Sequence, residues 1–98
     1  MKNLFNLECV FKGVIKRDGG EFTNDKGQVV KYDPAYVIKL DEQLETGDVV
    51  ERRLKFPITN NTLYHKLSEL EVYSKIILVC KVELYNGNAK VLPIDIEE

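Results

Sequence analysis

Between Phe5 and Lys16 the chain alternates: Phe5, Leu7, Cys9, Phe11 and Ile15 at odd positions, with Asn6, Glu8, Lys12 and Lys16 among the even ones. A period of two places these sets on opposite faces of a half-buried strand. The run is long, since strands commonly have about five or six residues. Gly13 interrupts its apolar face, and a glycine inside a strand marks a bulge or sharp bend. Whatever this chain folds into must accommodate one long first strand that bends near its middle.

The remaining elements follow from similar patterns. Arg17-Asp18-Gly19-Gly20 and Asn24-Asp25-Lys26-Gly27 are turn signals, with Phe22 standing alone between them in a polar loop. A second strand is expected from Val29 to Leu40, made an edge or broken by a bulge at Pro34. Asp41 to Asp48 reads as an acidic solvated loop, because Asp41, Glu42, Glu45 and Asp48 lack calcium-loop spacing. A third strand runs from Val49 to Ile58, with Val50, Leu54, Phe56 and Ile58 on one face, Arg52 intruding, and Glu51, Arg53 and Lys55 on the other. Thr59-Asn60-Asn61 then offers a helix N-cap, and Leu63, Leu67 and Leu70 recur at helical spacing through about Val72. Lys75 to Tyr85 and Ala89 to Ile96 are the fourth and fifth strands, and Asn86-Gly87 between them is a strong hairpin signal.

Five strands and one short helix in 98 residues form a single domain with one small core. Closing the sheet into a barrel buries the apolar faces without two long open edges, with the helix covering one end. A bent first strand would pair with both halves of that barrel. The order of elements resembles the OB-fold, a five-stranded Greek-key barrel whose single helix lies between the third and fourth strands. The competing architecture is an open α+β sheet with the helix on one face.

The residues argue against an enzyme. Cys9 and Cys80 both sit in alternating apolar runs, as two buried thiols in a reducing compartment would. No C-x-x-C or H-x-x-x-H pattern offers zinc ligands. The single histidine, His65, has Asn61, Thr62, Ser68 and Glu69 as its helical neighbours, a solvated face and not a cleft. The glycines form neither a phosphate loop nor a dinucleotide fingerprint. No cofactor is expected. There is no apolar run of membrane-spanning length and no signal peptide, so the expected location is cytoplasmic.

A formal net charge of −2 counts against coating duplex DNA by charge alone. The distribution is uneven, however: residues 1–40 sum to +2 and residues 41–98 to −4. In an OB-like barrel the binding face lies on strands two and three with adjoining loops. This chain would put Lys16, Arg17, Lys31, Lys39, Arg53 and Lys55 there as cations, with Lys12 and Lys26 nearby. The accompanying rings are Phe22, Tyr32 and Tyr85; Tyr36 shares its parity with Ile38 and Leu40 and so points inward. Cations that track phosphates and rings that stack on unpaired bases are what a single-strand groove requires.

In size and element order the chain resembles the small single-stranded-DNA-binding proteins of phages and plasmids. Its Phe22-Thr23-Asn24-Asp25-Lys26-Gly27-Gln28-Val29-Val30-Lys31-Tyr32 segment is similar to the polar, Gly- and Lys-containing loop entering their second strand. The resemblance implies sequence-tolerant binding of single-stranded DNA, or of RNA, in replication or recombination. It also implies a homodimer or larger assembly that meets replication or recombination proteins. The chain departs from that pattern in having no tryptophan and only Asp95-Ile96-Glu97-Glu98 where a long acidic tail would stand. The alternative expectation is a protein-interaction or accessory module of a mobile element, receiving a partner's strand at an unpaired edge near Pro34.

Overall fold

The computed structural model describes residues 4–97 apart from the side chain of Tyr85; Lys2 and Glu98, whose charges are counted above, lie outside the described residues. The elements are β1 (Leu4–Arg17), β2 (Gly20–Thr23), β3 (Val29–Tyr32), β4 (Ala35–Gln43), β5 (Val49–Pro57), α1 (Asn61–Ser68), β6 (Lys75–Tyr85) and β7 (Asn88–Glu97). The fold is mainly β. Five strands make one antiparallel sheet in the order β5-β4-β1-β6-β7, and β2 and β3 make a separate hairpin.

The long first strand serves both halves of the sheet. Leu4 to Val10 pairs with β6, and Val10 to Arg17 pairs with β4. The β1–β4 register shifts between Phe11 and Gly13, where Gly13 has φ 143°, a backbone setting that disfavours any side chain. The bulge bends β1, as the sequence suggests, and the sheet curls strongly into a half-barrel. Its concave face collects Cys9, Phe11, Tyr36, Ile38, Leu40, Phe56, Leu78 and Cys80. Leu63 and Leu67 of α1, 1% and 0% exposed, lie over this face as a lid.

The closed barrel is not formed. β5 and β7 approach one another, but both remain edges of the sheet with no ladder between them. Pro57 ends β5 and Pro93 lies in β7, and neither has an N–H to contribute to a ladder. From Pro57 the chain passes into the helix cap instead. Asn60 holds the gap with one side chain: its Oδ1 accepts from the Leu63 N–H at 3.2 Å and its Nδ2 donates to the Ile94 carbonyl at 3.1 Å. Lys66 adds an ion pair to Asp95 at 2.9 Å. The Tyr36 hydroxyl donates to Asn61 Oδ1 at 2.7 Å, and its ring stacks on Tyr64 with centroids 4.2 Å apart.

Three boundaries differ from the expected ones. The single strand from Val29 to Leu40 is two strands, β3 and β4, parted at Asp33-Pro34 because a proline cannot continue a ladder. The acidic segment is strand as far as Gln43, its turn being only Leu44 to Asp48, closed by Leu44 N–H to Asp48 O at 2.7 Å. The helix stops at Ser68, short of Val72, and its tail tightens through Leu70 N–H to Leu67 O at 3.1 Å. Tyr73, at φ 73°, then turns the chain so that its N–H reaches the Phe11 carbonyl at 2.6 Å.

Replacing Leu67 by Ala removes the centre of the lid and is expected to cost about 2–5 kcal/mol. Asn60→Ala loses a cap and leaves the Ile94 carbonyl short of a partner, for about 1–2 kcal/mol. Urea unfolding followed by circular dichroism measures both; a Leu67→Ala loss below about 1 kcal/mol would contradict the lid role.

Candidate nucleic-acid interface

The β2–β3 hairpin stands off the body of the protein. Every residue of both strands is exposed, and the radius of gyration is 15.1 Å where about 13 Å is typical of a chain this long. Cross-strand pairing of Phe22 with Val30 and of Gly20 with Tyr32 puts all three apolar side chains on one face. Phe22 and Tyr32 are 54% and 42% exposed, with centroids 6.3 Å apart. Gly20 leaves room for the Tyr32 ring. A Cβ on it would stand 2.8 Å from the Tyr32 hydroxyl, so the bare glycine lets the ring lie across the opposite strand. Gly19 is confined at the hairpin base, where a Cβ would meet the Pro34 ring at 2.8 Å and the Pro34 nitrogen at 2.9 Å.

Arg17 joins this hairpin to the sheet. Its guanidinium carbon lies 5.8 Å from the Tyr32 ring centroid, a cation–π arrangement. Its Nε is shut away from solvent and has no hydrogen-bond partner among the described residues.

From Arg17 a stripe of cations runs down the convex face of β1, β4 and β5. The registers place Arg17 level with Ala35 and Pro57, Ile15 with Val37 and Lys55, and Gly13 with Lys39 and Arg53. Successive rows on one face are about 7 Å apart. The next row is acidic, with Asp41 opposite Glu51. Lys12, at the bulge, reaches Glu51 at 2.8 Å and Asp41 at 3.4 Å. Lys39 and Arg53 also approach Glu51, at 3.7 and 3.8 Å. The hydrogen bond from Lys12, with the nearby Lys39 and Arg53 charges, holds the Glu51 carboxyl below the usual range, and Glu51 in turn raises Lys12. One carboxylate therefore partly neutralises three cations.

The structure thus brings together Arg17, Phe22 and Tyr32 at the hairpin and Lys39, Arg53 and Lys55 on the sheet. Lys16 stands out of phase with that stripe, level with Tyr36 on the core-facing parity of β1, and is exposed at the rim. Lys31 pairs with Glu21 on the hairpin face opposite the rings. Tyr85 ends β6, beyond the Leu4–Lys81 pair and so at the end of β1 opposite Arg17; its side chain lies outside the described residues. Tyr36, 6% exposed, belongs to the core, as its parity suggests. Sequence reasoning missed Glu51 as the centre of the cationic row, because its three contacts depend on the exact ladder register. It also missed Ile15, 63% exposed among these cations; its alternation assigned it to the core.

No family model, curated protein or solved structure matches the chain. The reading of this face therefore rests on its chemistry.

Neither thiol is set up as a nucleophile. Burial, with the Cys80 and Glu42 side chains near it, pushes Cys9 up to about 12, and burial pushes Cys80 up to about 11. In the unfolded chain both thiols ionise near their ordinary value, while the folded protein holds them protonated. Their contribution to stability is complete below about pH 8.5 and is lost as pH rises through 11 and 12. Thermal unfolding across this alkaline range should show a falling melting temperature. Replacing both Cys9 and Cys80 by Ala should flatten the fall relative to the parent. A parent curve with no alkaline decline would overturn the assignment.

Proposed function

We propose that the chain binds single-stranded nucleic acid without sequence preference and without catalysis, DNA in replication or recombination being the preferred reading. On this reading the half-barrel is an OB-fold opened along the β5–β7 edge, and the hairpin is its first long loop. The supporting observation is the conjunction at the hairpin: two exposed rings, with the guanidinium of Arg17 set against one of them. Unpaired bases offer flat faces to Phe22 and Tyr32, and the phosphates between them offer a counter-charge to the Arg17 guanidinium. Lys55, Arg53 and Lys39 then continue the phosphate track along the sheet. On this reading single strands are preferred to duplex, because the rings need bases that are already unstacked. A homodimer would extend the track, and replication or recombination proteins would be its companions.

Fluorescence anisotropy with a ~30-nucleotide oligo-dT is expected to show binding that weakens steeply with salt. Arg53→Glu combined with Lys55→Glu should abolish it while the circular dichroism spectrum stays unchanged, since both side chains are exposed. Phe22→Ala and Tyr32→Ala should each cost about 1–3 kcal/mol, the value of one stacked base. Glu51→Gln should act in the opposite direction, tightening binding by releasing Lys12, Lys39 and Arg53 from a competing anion. Absence of oligo-dT binding at low salt, or equal binding of duplex, would overturn the proposal.

A further inference from the structure

The switch of β1 from one neighbour to another leaves a seam at the opposite end of the molecule from the hairpin. Leu4 to Cys9 pairs only with β6, and Glu42 and Gln43 pair only with β5. Among the described residues, the two strand edges that face each other across this divergence have no ladder partner there. A cleft of about 1050 Å³ opens at this point, between the β4–β5 turn and the C-terminal end of α1. Its floor is apolar, from Cys9, Leu70, Ile76 and Ile96. Its rim is acidic: Glu8, Glu45, Glu69 and Glu97 line it, and the first three make no ion pair among the described residues. Of the two lysines on the rim, Lys66 is engaged by Asp95.

We infer that this seam is a docking site for an extended basic peptide segment of a partner protein, one in which Lys or Arg alternates with aliphatic residues. Each feature selects part of that description. The open edge of β1 offers main-chain hydrogen bonds to an added strand. Alternate side chains of such a strand point to opposite faces, so one set reaches the floor of Cys9, Leu70 and Ile76. The other set reaches the carboxylates, where positive charge is complementary and negative charge is repelled. The site is separate from the hairpin and the cationic stripe. It therefore provides for a protein partner that does not compete with a strand bound there.

The test is an amide-shift titration of the ¹⁵N-labelled full chain with a capped decapeptide alternating Lys and Leu. Two control peptides replace every Lys by Glu or every Leu by Ser. The expected result is shifts confined to residues 4–10, 41–45, 66–70, 75–77 and 96–97, with slowed hydrogen exchange for the Leu4–Cys9 amides facing the seam. Both controls should bind at least about tenfold more weakly, and so should the Lys/Leu peptide to a Glu8→Lys, Glu69→Lys double variant. These two residues are exposed, so the variant should keep its circular dichroism spectrum and melting temperature; should it not, Glu8→Gln with Glu69→Gln replaces it. Shifts mapping elsewhere, no shift at millimolar peptide, or equal binding by the Leu-to-Ser control would each overturn the inference. The titration reads the seam alone, and its failure leaves the oligo-dT experiment unaffected.

Discussion

The rest of the structure depends on β1 having two partners in succession. A flat strand of this length would hold both neighbours in one plane and leave its apolar face open to water. Gly13 prevents that by taking a backbone setting, φ 143°, that side chains avoid, and by shifting the register of the ladder with β4. The strand bends, Phe5, Leu7, Cys9 and Phe11 turn to the inside of the curl with Val14 beyond the bulge, and the sheet acquires a concave face that one short helix covers. Tyr73 ties the helix exit to the same region through the Phe11 carbonyl. Bend, lid and core are consequences of one local departure from regular pairing.

The strands were legible because each carries its own parity. Cys9 and Cys80 were placed in the core by alternation and are 7% and 0% exposed; Tyr36 was placed inward on the same ground. The hairpin was not legible, since its two strands have four residues each, all exposed, and show no burial pattern to read. Val29 to Tyr32 looked like the start of a strand continuing through Pro34, whereas they pair backward with Gly20 to Thr23. Glycine supplies the missing logic: Gly20 makes room for the Tyr32 ring and Gly19 for Pro34. These are tertiary requirements, invisible to turn propensity. Barrel closure failed for a related reason. Economy of edges favours it, but the Pro57 exit and the Asn60 cap fill the place where the last ladder would have formed.

Charge follows the same division between local and registered information. The net −2 is the sum of +2 over residues 1–40 and −4 over residues 41–98. Which residues are basic can be counted from the chain, and the parity of Arg53 and Lys55 places them outward. That Glu51 sits among Lys12, Lys39 and Arg53 depends on a bulge and two ladders agreeing to within one residue. A single slip would carry the carboxylate to the other face. The cationic stripe is therefore more muted than its residue count suggests, and Lys55 and Arg17, outside the Glu51 cluster, lie toward the hairpin end, Arg17 against the Tyr32 ring.

The two ends are linked through the geometry of β1. Its C-terminal half carries the stripe and delivers the chain to the hairpin, while its N-terminal half carries the free edge beside the acidic seam. The curl that separates these halves also directs their outer faces differently. A ligand on one end and a partner on the other would then share a scaffold without sharing a surface, and repulsion between the carboxylates of the seam and a polyanion would keep nucleic acid on the basic side. The same bend that creates the core thus segregates the charge, and that segregation lets an acidic chain present a basic face.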